Sequence, residues 1–239
     1  SNIISERTKE YRVKILLGIE TDSGDIYGNE IYREEVFFSK ERLKISLEQH
    51  IGIQEQIPPM YSALKHKGKP LHYWARKGIY LKRIPRTITV SNIKLLSSEE
   101  KNRVTLQISC SKGTYIRSLV ESIGRHLSTK ATVLELRRTK FGSFRDTDLY
   151  HLEGVNKLSC KKAIIDCDSM LKHLPQVTLS TSEIKKIRNG QQVDYNAGQE
   201  KEGIVRIYEE KGSFIGIANI DSSMKVSPKR LLSTKINST

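Results

Sequence analysis

Cysteine is scarce in this chain. Three residues in 239, Cys110, Cys160 and Cys167, are too few and too scattered for a disulfide framework or a four-ligand zinc site. A reducing, cytoplasmic setting is the expectation that follows. No run of about 18 apolar residues occurs, so the sequence offers no membrane-spanning helix and no membrane partner is expected. The opening SNIISERTKEYR carries charge where a secretory signal needs an apolar stretch, so export is not expected. His66, His72, His126, His151 and His173 show no metal-ligand spacing, and no metal site is expected. A phosphate loop of the GxxxxGK type is also missing. The most telling absence is local: from Gln56 to Ser98 there is no Asp or Glu.

What is present in excess is positive charge. Lys plus Arg number 41 against 27 Asp plus Glu, a formal charge of +14, with 37% hydrophobic and 28% charged residues. That balance suits a folded globular protein and excludes a collagen, a low-complexity scaffold or an acidic disordered tail. The length accommodates one large domain or two unequal ones. Nucleic acid ranks ahead of a membrane surface as polyanionic partner, because no long basic amphipathic helix stands out. The rival reading is a soluble protein that is basic without consequence.

The acid-free segment holds Lys65, Lys67, Lys69, Arg76, Lys77, Lys82, Arg83, Arg86 and Lys94, interleaved with Tyr61, His66, His72, Tyr73, Trp74 and Tyr80. Cations that meet phosphates, set among flat rings that meet unstacked bases, suit single-stranded or looped RNA. Local salt bridges cannot neutralise this segment, so its field projects outward or meets a ligand. A second basic stretch runs through Lys112, Arg117, Arg125, Lys130, Arg137, Arg138, Lys140 and Arg145. It also contains Glu121, Glu135 and Asp146, so some of its arginines are expected to hold carboxylates.

Along the chain, YRVKILLG (Tyr11 to Gly18) reads as a strand, followed by a turn-rich loop and a second strand around Ile31 to Phe37. Ser39 is placed to cap a helix carrying Leu43, Leu47 and Ile51, and Pro58-Pro59 ends regular structure. Strands are expected over Thr87 to Leu96 and Arg103 to Cys110, then a helix over Tyr115 to Leu127 and a strand and turn over Leu134 to Phe144. Cys160 to Leu171 reads as a short helix. Beyond Pro175 come the helical stretch Ser182 to Asn189 and brief strands in GIVRIYEE, GSFIGIANI and KVSPKRLL, the texture of a small barrel-like module. Two domains are expected, 1–173 and 174–239.

Chemistry concentrates at CSKGTYIRSL (Cys110 to Leu119), where a glycine precedes a helix start. By residue physics this is either an anion-binding turn or an ordinary strand-to-helix turn. Taken with QIPPMYSALKHKGKPLHYWARKG (Gln56 to Gly78) and LRRTKFGSF (Leu136 to Phe144), it resembles the TruB family of tRNA pseudouridine synthases. YRVKILLGIETDSGD is similar to the strand and loop after that family's catalytic motif. IVRIYEE, FIGIANI and VSPKRLL are similar to its C-terminal PUA RNA-binding module. The resemblance implies an α+β fold, mainly antiparallel sheet with flanking helices, followed by a small β-barrel-like PUA domain. It implies isomerisation of the T-loop uridine of tRNA by base flipping, with no cofactor and no metal. It also implies roles for single residues. Tyr11 is the active-site tyrosine that stacks on the flipped base, and Arg117 pairs with the catalytic aspartate. Tyr115 and Leu136 line the uridine pocket, and Lys112 lies near phosphate or the carboxylate. Residues 60–88 are the mobile thumb on the T arm. Tyr61, Lys65, His66, Lys67, Lys69, Arg76, Lys77 and Arg86, with Arg137 and Arg138, are the expected RNA contacts.

One part of the family pattern is not found. No Gly-His-x-Gly-x-Leu-Asp-Pro, the segment with the nucleophilic aspartate, occurs before Tyr11 or elsewhere. SNIISERTKE resembles the helix end that follows the catalytic loop. Asp22 and Asp25 match an ordinary loop and are assigned no role, so Arg117 is expected to lack its carboxylate. A second departure is Ser122, where the family carries Asp. The expectation is a monomeric fragment that keeps RNA affinity without turnover. The alternative from another class is a non-catalytic RNA-binding or RNA-folding module on the same scaffold.

Overall fold

The computed structural model describes residues 8–100, 102–154, 156, 160–161, 163–195 and 202–233. The segment Ser1 to Arg7, read above as a helix end, lies outside the described residues. The chain divides into two compact units, Ser1–Leu149 and Tyr150–Thr239. Leu174, where the sequence texture changes, lies within the second unit directly before its first strand.

In chain order the first unit holds β1 (Lys9–Leu17), β2 (Ile19–Thr21), β3 (Glu30–Arg33), α1 (Lys40–Gln49), β4 (Gly52–Gln56), β5 (Lys65–His66), β6 (Lys69–Pro70) and α2 (Leu71–Ala75). Then follow β7 (Arg86–Glu100), β8 (Arg103–Cys110), α3 (Ile116–His126), β9 (Ala131–Phe141) and β10 (Phe144–Arg145). Six strands make one sheet in the order β10-β9-β1-β8-β7-β4, every neighbouring pair antiparallel. Alternation in β1 sends Val13, Ile15 and Leu17 to one face, all fully buried, while Arg12 and Lys14 take the other. On the buried face Leu43 and Leu47 of α1 join Ile116, Leu119, Val120 and Ile123 of α3 in a single core. The apolar residues of α3 recur at helical spacing, which is why that face packs.

Ser39 caps α1 as expected, its Oγ accepting from the Arg42 amide at 3.1 Å. Ile51 falls after the helix ends and is exposed. The strand expected to reach Phe37 stops at Arg33. There Glu34 turns aside, its amide donating to the Gly18 carbonyl and its carboxylate accepting from the Thr129 hydroxyl and the Lys130 amide. β7 is longer than expected because it runs beside β8 as far as the Glu100–Arg103 pair.

The acid-free segment leaves the sheet after β4. β5 and β6 form a minimal hairpin across Lys67-Gly68, both in the left-handed region at φ 47° and 77°. α2 follows, burying Leu71 and Ala75, and the chain returns through 79–85 without regular structure.

The second unit carries β11 (Gln176–Leu179), α4 (Thr181–Arg188), β12 (Val193–Asp194), β13 (Gly203–Glu209), β14 (Phe214–Ile220) and β15 (Lys225–Leu231). Its sheet runs β11-β13-β14-β15-β12, curled into a half-barrel, with only β11–β13 parallel. Val177, Leu179, Ile187, Val205, Ile207 and Ile220 make its core. The helix expected from Cys160 to Leu171 is not continuous. Residues 160, 161 and 163 are helical, and Ser169–Leu171 is a separate 3-10 turn. Asp168 is drawn instead to Arg206 Nη1 at 2.9 Å and to the Tyr208 hydroxyl, while Ile164 and Ile165 stay exposed. Tertiary bonds to β13 outweigh a helix that has no apolar face to bury.

Candidate active site

The turn from β8 into α3 is held from two sides. The Ser111 amide donates to the Thr89 carbonyl at 2.8 Å, and Ser111 Oγ accepts from the Thr89 amide at 3.0 Å. The helix begins at Tyr115 without a side-chain cap. Gln56, buried at the end of β4, supplies the tie: Oε1 accepts from the Tyr115 amide at 2.8 Å and Nε2 donates to the Tyr115 carbonyl at 3.1 Å. The first turn of α3 is therefore fixed in position, and Arg117 projects from it.

Arg117 is a three-way junction. Nη1 donates to Asp25 Oδ2 at 3.0 Å and to the Ser23 carbonyl at 2.8 Å, and Nη2 donates to the Tyr61 carbonyl at 2.6 Å. Both partners of the ion pair are about a quarter exposed, at 23% and 26%, so the pair is reachable yet incompletely screened. Asp25 is itself constrained. Its Oδ1 accepts from Ser23 Oγ at 2.9 Å and from the Tyr27 amide at 3.2 Å, and its carbonyl accepts from Thr21 Oγ1 at 2.8 Å. Gly24 lets this loop approach α3. Its φ is +76°, and a Cβ there would meet Glu121 Oε1 at 2.6 Å. Arg117 is thus not left without a carboxylate, and Asp25 is not an idle loop residue. Ninety-two positions separate the two, and no local signal links them.

Tyr11, Leu136 and Arg138 form a neighbouring group on β1 and β9. Tyr11 pairs in register with Arg138, and Val13 with Leu136. Tyr11 is half-buried. Burial pushes its phenol pKa up, opposed by its hydrogen bond with Arg138, so the hydroxyl stays protonated. Leu136 is 46% exposed rather than core, and borders a cavity with Arg12, Lys14, Thr105, Glu135 and Arg137. Lys112 is exposed within the turn, and Tyr115 is half-buried.

The other expected contacts spread along the thumb-like segment. Lys65, His66, Lys67 and Lys69 line the hairpin, exposed, and Arg76, Lys77 and Arg86 are exposed beyond it. Tyr61 meets Arg117 through its backbone carbonyl, not its ring. Several rings are engaged within the segment. Lys69 and Lys77 lie over Tyr73 at 5.6 and 4.7 Å, and Trp74 packs edge-on against Tyr73 and His66. Arg137 holds Asp146 at 2.6 Å, so this arginine, like Arg117, binds a carboxylate as its stretch of sequence suggested. Ser122, the second departure from the family pattern, hydrogen-bonds His50 at 3.1 Å. Among the described residues no cluster of ligating side chains is arranged to hold a metal ion, and no helix is long and apolar enough to cross a membrane.

Known proteins match this chain along nearly its whole length. The model of the TruB family pseudouridylate synthase N-terminal domain matches residues 1–116. Models of the tRNA pseudouridylate synthase B C-terminal domain and of the pseudouridine synthase II TruB C-terminus match 117–174 and 175–232. The tRNA pseudouridine synthase B of Chromohalobacter salexigens is 37% identical over 98% of this chain and 77% of its own length. This chain belongs to the TruB family of pseudouridine synthases. The TruB relative from Aromatoleum aromaticum is 35% identical over 98% of the chain and 76% of its own length. Among solved structures, a Cbf5-Nop10-Gar1 complex superposes with a TM-score of 0.67 at 22% identity, covering 96% of this chain and 68% of that one. An H/ACA RNP bound to a substrate RNA containing 2′-deoxyuridine gives 0.66 at 19%, covering 96% and 67%. At these identities the likeness is one of fold: a mixed α+β unit with an antiparallel sheet, and a curled half-barrel sheet after it.

Two residues of this TruB-family site escaped the sequence reading. Gln56 sits inside the quoted QIPP motif, but nothing in the motif tells that it clamps Tyr115. Asp25 is one of two aspartates in TDSGD, and only the register that brings Asp25 beside Val133 of β9 selects it.

Proposed function

We propose that this chain is the RNA-holding body of a tRNA pseudouridine synthase that works on the T-loop uridine. The observation that carries this reading is the Arg117 junction. One guanidinium from α3 joins the Asp25 loop to the base of an acid-free, basic segment. The relatives named tRNA pseudouridine synthase B support the reaction class. In that reaction the bond from the ribose carbon to the uracil nitrogen breaks and a bond to the ring carbon forms. A proton leaves that carbon and the nitrogen gains one, so no co-reactant is consumed.

The residues divide the work. The cations of the thumb-like segment meet T-arm phosphates. The target base leaves its stack, and Tyr11, kept neutral by burial, offers it an aromatic face bounded by Leu136. Tyr115 lines the same pocket, and Lys112 meets a phosphate or the attacking carboxylate. Arg117 is an aiming group for a carboxylate. Residues 174–239 act as a PUA-like RNA-binding module, and the chain works as a monomer in the cytoplasm. Asp25 takes the part of a positioning residue that holds Arg117.

The family's aspartate-bearing motif does not occur in these 239 residues. The chain by itself therefore binds T-arm RNA without releasing pseudouridine. Incubating the pure chain with a T-arm stem–loop, measuring binding by anisotropy and product by mass spectrometry, tests both halves. Binding without product is the expected result. Stoichiometric pseudouridine overturns the second half, and absence of binding overturns the first. A chain that binds structured RNAs regardless of a T loop would favour an RNA-folding module.

A further inference from the structure

A groove of about 290 Å³ lies where β9 turns into β10, outside the Arg117 junction and the thumb-like segment. Its walls include Arg138, Lys140, Phe141, Phe144, Arg145 and Leu149. Register places Phe144 directly opposite Phe141 and Arg145 directly opposite Lys140. At this two-residue end of the ribbon both the ring pair and the cation pair border the one groove. Like charges directly opposite are unfavourable in a free sheet. Here the ribbon keeps them.

Cations crowd the rings as well. Lys9 Nζ lies 5.7 Å from the centre of the Phe141 ring, and the Arg138 guanidinium 5.4 Å. The carboxylates nearby are already engaged. Asp146 is held by Arg137 at 2.6 Å, Asp148 caps the Arg145 amide at 3.1 Å, and Glu10 accepts from the Thr139 and Ser109 hydroxyls. Glu10, on β1, also stands opposite Lys140 and partly offsets its charge, so Arg145 is the cation left over. Arg145 forms no side-chain ion pair among the described residues. Flat rings, flanking cations and an unmatched arginine are the parts from which sequence-tolerant single-strand sites are made. Arg138 connects the groove to Tyr11, since it lines the groove and hydrogen-bonds the Tyr11 side chain.

We propose that this groove is a second nucleotide subsite. It takes an unpaired base of the RNA, next to the flipped one, against Phe141 and Phe144, with its phosphate at Arg145 and Lys140. The subsite rests on the reading of the chain as an RNA-holding protein and adds to it where the neighbouring unstacked nucleotide goes.

The test uses the full chain and a T-arm stem–loop carrying 2-aminopurine at one unpaired position at a time, with a fully paired duplex of equal length beside it. Two loop positions are expected to show quenching on binding, the flipped base at Tyr11 and its neighbour at the groove, and the duplex none. Phe144→Leu should abolish the second response and keep the first, and a single responding position in the wild type overturns the subsite. Phe144→Leu keeps an apolar side chain but loses the stacking face, so stem–loop affinity should fall roughly five- to a hundred-fold while duplex affinity stays unchanged. Phe144→Tyr should restore it. Arg145→Gln should lower the slope of log affinity against log salt by about 0.7, one single-strand phosphate contact. Unchanged melting temperatures would show that these exposed changes leave the fold intact. If the wild type binds the stem–loop and both Phe144→Leu and Arg145→Gln bind it equally well, the subsite is wrong and the parent reading stands. Failure of the wild type to bind any RNA overturns the parent reading itself.

Discussion

Arg117 offers donors to three oxygens that arrive from two separate stretches of chain, Ser23 to Asp25 and Tyr61. A planar, always-charged fork does this from two nitrogens held apart in one rigid plane. The three N–H donors of a lysine radiate from a single nitrogen and do not span the same acceptors. Asp25 supplies the only charge among those acceptors, so it decides how firmly the fork is aimed. Asp25→Asn keeps the shape and removes the charge. A hydrogen bond to a charged group is worth roughly 1.5–3 kcal/mol, and partial exposure places this one near about 1. Urea denaturation of Asp25→Asn should therefore show a loss of about 1 kcal/mol, and hydrogen exchange at residues 23–27 and 61–62 should speed up together. Faster exchange in one stretch alone would mean that Arg117 does not join them.

At the scale of elements, α1 and α3 meet through two histidines and two serines. His50 Nδ1 bonds the Ser46 carbonyl at 2.7 Å, its Nε2 meets Ser122 Oγ at 3.1 Å, and His126 Nδ1 meets Ser46 Oγ at 3.1 Å. Burial, first, and then the charges of His126 and Arg125 push the His50 pKa below its usual value. The unfolded chain binds that proton more readily than the fold does, so stability rises with pH across the interval from the lowered value up to about 6.5. The melting temperature should fall between pH 7.5 and 5.5, and less so in His50→Asn. An equal fall in both proteins would assign the loss to other groups. In the second unit, α4 opens with a complete capping box, Ser180 accepting from the Glu183 amide at 3.4 Å and Glu183 from the Ser180 amide at 2.8 Å. Ser180→Ala should cost about 1 kcal/mol in denaturant unfolding. A change below about 0.3 kcal/mol would mean that packing of Ile184 and Ile187 alone holds the helix.

Across the whole molecule, the surplus of 14 positive charges is a property of place as much as of amount. Lys65, Lys67 and Lys69 project from one hairpin with no carboxylate in their own segment. Neutralising all three to Gln should lower the salt slope of T-arm binding by about 2 to 3, one counterion per contacted phosphate. A slope unchanged from wild type would show that the hairpin stays clear of the RNA.

The periodic elements were legible because their causes are local. Alternation in VTLQIS and the spacing of Ile116, Leu119, Val120 and Ile123 record which face must leave water, and β8 and α3 formed accordingly. Family membership was legible too, since QIPPMYSALK, CSKGTYIRSL and LRRTKFGSF are contiguous strings. What the sequence by itself determined is therefore the kind of fold, the basic character and the residues that local motifs mark. Only the tertiary structure decided that Asp25 faces Arg117, that Gln56 clamps Tyr115, that Asp168 leaves its helix for Arg206 and that two phenylalanines face each other across a cationic ribbon. Each of these depends on sheet register or on loops brought together over long separations. That information resides in how hydrogen-bond partners are matched in space, and no window along the chain contains it.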